Sequence, residues 1–97
     1  MQSNLEIKTM QEAWERWGGT AQVMQLAEES VELAHACHKI VRKPKGLTEL
    51  NKLAEEIADA EIMVQTVKMH LALNDLVASY RDLKMNRLKR RLDNVRP

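Results

Sequence analysis

Three carboxylates crowd into "LAEESVEL", residues 26–33, as Glu28, Glu29 and Glu32, and "EEIADAE", residues 55–61, repeats the device with Glu55, Glu56 and Asp59. Like charges at helical spacing repel by about a few tenths of a kcal/mol per pair. Such a cluster is therefore either a solvated stripe or a site for a cation. With about 100° per residue, Glu29 and Glu56 each lie roughly 60 to 70° from the centre of an apolar seam on their own helix, and Glu32 and Asp59 roughly 120 to 130°, in the same rotational sense. Residues 29 and 59 are symmetric about Pro44, as are 32 and 56. An antiparallel hairpin folded at Pro44 would bring all four carboxylates onto one patch, with Glu29 level with Asp59 and Glu32 level with Glu56. Oxygen-only ligands at that patch call for a hard divalent cation, Mg²⁺ or alternatively Mn²⁺, which keeps open positions for water or phosphate oxygens. The bland alternative is a solvated acidic face on each helix.

The opposite charge gathers near the C-terminus. In "YRDLKMNRLKRRL", Tyr80, Lys84, Arg87 and Arg91 share one helix face, and from Arg81 to Pro97 seven Lys or Arg against two Asp leave a balance of +5. Such a face suits an anion, and beside a metal site the natural anion is a polyphosphate. Weaker signals are Trp14 and Trp17, which could stack on a nucleobase or staple the first helix to the rest. Gln25 stands one turn before Glu29, where it could bond a base or sugar or serve as a polar surface group.

These residues need helices to hold them. Gly18-Gly19, "RKPKGL" (42–47) and Asn74-Asp75 divide the chain into four helical segments, near residues 4–17, 20–42, 48–73 and 75–94. Val23, Leu26, Leu33, Cys37 and Ile40 mark the seam expected on the second, and Leu50, Leu53, Ile57, Ala60, Val64, Val67 and Leu71 that on the third. A second apolar row on the second helix, Met24, Ala27, Val31 and Ala34, requires contacts beyond one hairpin, from the fourth helix or from another subunit.

Composition agrees with an all-α class. Hydrophobic residues make up 44% and charged residues 30% of the chain, with two Trp, one Tyr and no Phe. Any core is built from Leu, Ile, Val, Ala and six Met, which suits helices better than a sheet. The expectation is one antiparallel helical bundle over 1–97, completed by oligomerisation, since a chain this short buries only about 60 to 65% of its unfolded surface. The lone Cys37 excludes an internal disulfide and fits a reducing compartment. With no long apolar run and no signal-peptide core in "MQSNLEIKTM", a soluble cytoplasmic protein is expected.

Glu28-Glu29-x-x-Glu32 followed after 23 residues by Glu56-x-x-Asp59 resembles the paired EExxE…ExxD signature of the MazG-like all-α nucleoside triphosphate pyrophosphohydrolases. The likeness runs from Trp17 through "WGGTAQVMQLAEESVEL" and "LAEEIADAEIMV" to "KMNRLKRRL". It implies a dimer or tetramer and Mg²⁺-dependent hydrolysis of a nucleoside triphosphate, deoxynucleotides favoured, to the monophosphate and pyrophosphate, a house-cleaning reaction of the nucleotide pool. By position it implies Glu29, Glu32, Glu56 and Asp59 as metal ligands and Lys84 and Arg87 as phosphate contacts. Glu28 could orient water, and either Glu28 or Glu32 could accept its proton. Trp14, Trp17 and Gln25 are the nucleotide-binding candidates. The chain lacks the Asp-Leu-x-Tyr-His continuation usual in phosphoribosyl-ATP pyrophosphohydrolases. The rival class is a non-enzymatic module that binds nucleic acid or a partner protein through its basic last helix; it leaves the matched acid pairs unexplained.

Overall fold

The helix boundaries are set by local backbone chemistry. The computed structural model describes residues 3–95, leaving Arg96 and Pro97 of the basic stretch outside the described residues. Helix α1 (Asn4–Trp17) opens on a reciprocal cap: the Glu6 N–H donates to Ser3 Oγ at 3.1 Å, and the Ser3 N–H donates to the Glu6 carboxylate at 3.0 Å. It closes at Gly18, whose φ of 88° and ψ of 155° fall in a region essentially reserved for glycine. Helix α2 (Gly19–Arg42) starts at once. A Cβ on Gly19 would stand 2.8 Å from Trp14 Cζ2, so the second glycine lets the indole lie against the first turn of α2.

Helix α3 (Leu47–His70) stops three residues before the expected Leu73. The Leu73 N–H donates to the Lys68 carbonyl at 2.8 Å and the Ala72 N–H to the Met69 carbonyl at 3.4 Å, with Ala72 at φ 54°. That is a Schellman stop built on alanine in place of the usual glycine, so no glycine announces it in the sequence. Helix α4 (Asn74–Val95) follows. The four helices account for the regular structure, and no strand occurs among the described residues.

Helices α2 and α3 form the antiparallel hairpin, but their shared seam is rotated from the expected one. On α2 the inward row is Gln22, Leu26, Glu29, Leu33, Ala36 and Ile40; on α3 it is Glu49, Leu53, Glu56, Ala60, Met63, Val67 and His70. Both follow the alternating 4, 3 spacing of knobs-into-holes packing. Leu26, Leu33, Ile40, Leu53, Ala60 and Val67 belong to this seam or flank it as expected. Val23 and Cys37 of α2, Leu50, Ile57 and Val64 of α3, and Leu71 just past its end are instead exposed. Each helix has two apolar faces, and the hairpin buries the one whose small residues, Ala36 and Ala60, allow close approach. The acidic residues thereby move toward the core: Glu29 and Glu56 stand in the seam itself.

Helix α1 crosses both partners and is pinned by Trp14, whose ring stacks on His70 with centroids 4.6 Å apart and planes 7° from parallel. Helix α4 touches α3 alone, and each of its described residues is exposed. Leu76, Val77, Tyr80, Leu83, Leu88 and Leu92 therefore remain uncovered. The accessible surface is 8009 Å², against about 5,700 Å² for a compact monomer of this mass. The radius of gyration is 16.6 Å, where about 12.5 Å is usual. Among the described residues no helix is long and apolar enough to cross a membrane.

Two backbone positions give opposite expectations in urea or thermal denaturation. Gly18→Ala lowers stability by about 1 to 3 kcal/mol because alanine is strained there. Ala72→Gly raises it by about 0.5 to 1 kcal/mol by relieving the left-handed cap.

Candidate metal centre

The rotated seam brings carboxylates from the two hairpin helices together. Glu29 on α2 and Glu56 and Asp59 on α3 each offer an oxygen, and these oxygens all lie within 4.8 Å of one another. Glu32 is exposed and stands outside this group, as does the exposed Glu28. The convergence is thus of three of the four expected ligands, without Glu32.

Glu56 is the unusual member. Its side chain is only 5% exposed, because it occupies a seam position between Leu53 and Ala60. One oxygen, Oε1, accepts from Lys52 Nζ at 2.9 Å. The other, Oε2, is buried and meets no hydrogen-bond donor. An orphaned buried acceptor costs about 1 to 3 kcal/mol, more when it is charged. A divalent cation between Glu29, Glu56 and Asp59 would remove that cost, and the donor set, carboxylate oxygens alone, is the chemistry of Mg²⁺ or Mn²⁺. The residues present therefore fit such an ion.

Two neighbours shape the cluster. Gln25 Nε2 donates to Glu29 Oε1 at 2.7 Å, one turn apart on α2, and so fixes that carboxylate. Lys52, one turn before Glu56 on α3, also lies 3.7 Å from Glu55. The hydrogen bond to Glu56 raises the Lys52 pKa above its ordinary 10.5, with further contributions from the charges of Glu55, Glu56 and, across the hairpin, Glu32. Sequence reading passed over Lys52, although its i, i+3 and i, i+4 spacing to Glu55 and Glu56 was a visible signal.

A cavity of about 550 Å³ opens beside the cluster, between α1, α2 and α3. Its walls are mostly apolar, with Met10, Ala13, Ile62 and Met63 among them, and its polar side chains are Thr9, Gln22, Gln25 and Thr66. Trp17, 62% exposed, stands at its edge. Gln25 thus joins the cavity to Glu29. Gln22 and Thr66 are both buried, and the Thr66 hydroxyl donates to the Ile62 carbonyl at 2.8 Å; neither residue carried a functional signal in the sequence. Trp14 does not line this cavity and has one ring face taken by His70, so it acts as the staple of α1.

Lys84 and Arg87 lie on the exposed α4, which approaches α3 only and neither α1 nor α2. Within one chain they are not packed on the helix that carries Glu29. Together with Val77, Tyr80, Arg81, Met85 and Leu88, Lys84 lines a shallow apolar groove on α4.

No family model, curated protein or solved structure matches the chain.

The site makes stability and ion binding pull apart. Glu56→Leu fills the seam position without an orphaned oxygen and leaves the half-exposed Lys52 free to hydrate, so it raises ion-free stability by about 1 to 3 kcal/mol. With a cation at this cluster, wild type should melt higher in Mg²⁺ than without it and the same variant should not. The raised Lys52 pKa gives its ion pair a defined pH window. The stabilisation is fully present below the ordinary lysine value of 10.5 and is lost as pH climbs through the raised one. Alkaline denaturation profiles of wild type and Lys52→Met should therefore converge at high pH.

Proposed function

We propose that the protein is a Mg²⁺-dependent nucleoside triphosphate pyrophosphohydrolase, acting as a homo-oligomer. The observation that carries this reading is the convergence of Glu29, Glu56 and Asp59 from two helices, with the buried Glu56 Oε2 left without a donor. A solvated acidic stripe would have no reason to bury one of its carboxylates in the seam. The paired Glu28-Glu29-x-x-Glu32 and Glu56-x-x-Asp59 pattern, resembling that of the MazG-like enzymes, supplies the reaction class.

Glu29, Glu56 and Asp59 would hold the ion, and Glu32 is the fourth carboxylate that could join them. When bound, the ion supplies Lewis acidity toward water and phosphate oxygens. Water attacks one phosphorus of the α,β-anhydride. A new P–O bond forms, the anhydride bond breaks, and the displaced group, pyrophosphate for attack at the α-phosphorus and the monophosphate for attack at the β-phosphorus, leaves with the bonding pair. Glu28 or Glu32, the exposed carboxylates beside the cluster, accepts the proton from water. The adjoining cavity is sized for a nucleobase and sugar: Trp17 offers an aromatic face, and Gln22 and Gln25 offer amides that can bond base edges. Gln25 also bonds Glu29, so seating a base would bear directly on a metal ligand. Lys84 and Arg87 supply positive charge for the departing pyrophosphate.

The uncovered surface supports a second copy. The surplus over a compact monomer is about 2,300 Å² per chain, about 4,600 Å² for a pair, which falls in the range that obligate homodimer interfaces bury in total. The apolar faces left open on α2 (Met24, Val31), α3 (Ile57, Val64) and α4 are the surfaces available for it. In such an assembly α4 of one copy can reach the α2–α3 face of the other, bringing Lys84 and Arg87 toward an acidic site.

The test is a panel of nucleoside and deoxynucleoside triphosphates incubated with Mg²⁺, scoring monophosphate and pyrophosphate. Wild type releases both in equal amounts. Glu29→Ala and Asp59→Ala lose turnover by at least about 100-fold, since each removes an interaction at the reacting centre, while the helical circular dichroism stays intact. Full activity in either variant, or salt-sensitive nucleic-acid binding without turnover, contradicts the reading. Light scattering on the eluted protein should give a multiple of the 11.2 kDa chain mass.

A further inference from the structure

We infer that Lys52 is a resident counter-ion of the carboxylate cluster, a positive charge that an incoming divalent ion must outcompete, so that it sets the ion concentration at which the site fills. This rests on reading the cluster as a cation site. Lys52 Nζ lies 2.9 Å from Glu56 Oε1 and 3.7 Å from Glu55, and its side chain is 46% exposed where that of Glu56 is 5% exposed. The ammonium therefore sits at the outer edge of the cluster with water on one side. It reaches one oxygen of the buried carboxylate and leaves Oε2 without a donor. Glu32 attracts the same ammonium from α2, so Lys52 is the cation toward which both helices already direct charge.

Two effects of Lys52 on ion binding oppose each other. Its ion pair orients Glu56, which favours binding, whereas its charge repels a divalent ion held by the same carboxylate. Repulsion dominates, because burial in the α2–α3 seam already fixes the Glu56 side chain without help from the lysine. In the ion-free protein the balance is reversed: among the described residues Lys52 is the one partner of Glu56, and its loss leaves a buried carboxylate without it. Lys52 thus stabilises the ion-free hairpin and weakens ion binding at the same time. It is a positioning residue acting through Glu56 and need not touch substrate.

The experiment is calorimetric titration with Mg²⁺ and with Mn²⁺, and thermal denaturation with and without the ion, on wild type, Lys52→Met and Lys52→Arg. Lys52→Met should melt lower than wild type without ion and bind either ion about tenfold more tightly, the order Coulomb's law gives for one charge near a divalent ion in a water-like dielectric. Lys52→Arg should restore both values toward wild type, which a merely structural role for the lysine stem would not require of the affinity. If Lys52→Met is unfolded without ion, recovery of its helical signal at ion concentrations below the wild-type Kd supports the inference, and failure to recover overturns it. Unchanged or weaker ion binding by Lys52→Met, beside a wild type that binds, overturns it while leaving the cation site standing. A wild type that binds neither ion overturns the cation site itself and the inference with it.

Discussion

The structure turns on a carboxylate placed where a helix hairpin ordinarily puts an aliphatic side chain. Glu56 stands in the α3 row between Leu53 and Ala60, facing α2, with one oxygen on Lys52 and the other on nothing. A leucine there would stabilise the hairpin. A glutamate there costs about 1 to 3 kcal/mol for the unmet acceptor alone, where just four apolar side chains among the described residues, Ala36, Ala60, Met63 and Val67, are buried. Such an expense in so small a core is intelligible as site construction: the seam that holds the hairpin together also aims Glu56 at Glu29 and Asp59.

Everything around that position serves to hold it or to compensate for it. Gln25 fixes Glu29 by a hydrogen bond along α2, and the small Ala36 and Ala60 let the two helices come close. Helix α1, held by the Trp14–His70 stack and turned by Gly18, closes the cavity that adjoins the cluster. The same economy leaves half of each hairpin helix and the whole of α4 uncovered. A surface of 8009 Å² on an 11.2 kDa chain is a large departure from a compact monomer, and it is this uncovered area that the proposed second copy would bury.

Much of this was legible in the residues. Glycine and proline punctuation located α1, α2 and the hairpin turn to within a residue, and the matched acid spacings placed Glu29, Glu56 and Asp59 together. The end of α3 was hidden because alanine occupies the left-handed cap position. The seam was misplaced because both helices are apolar on two faces. Val23, Cys37, Ile57 and Val64 make as good an apolar row as the true one, and only packing decides between rows when small residues permit the closer approach. That error also set Glu56 at the edge of the core when it lies within it. The cavity was invisible because Gln22 and Thr66 are individually unremarkable and become a wall only when three helices meet. The separation of Lys84 and Arg87 from the cluster follows from how α4 leaves the hairpin, which no local pattern encodes.

The most direct test of the cation site is anomalous diffraction from crystals soaked in Mn²⁺. A peak about 2.2 Å from one oxygen each of Glu29, Glu56 and Asp59, a distance typical of a hard divalent ion on carboxylates, with Glu56 Oε2 among the ligands, is the result expected. Saturating Mn²⁺ with no peak there, and with Glu56 Oε2 still unligated, would contradict it.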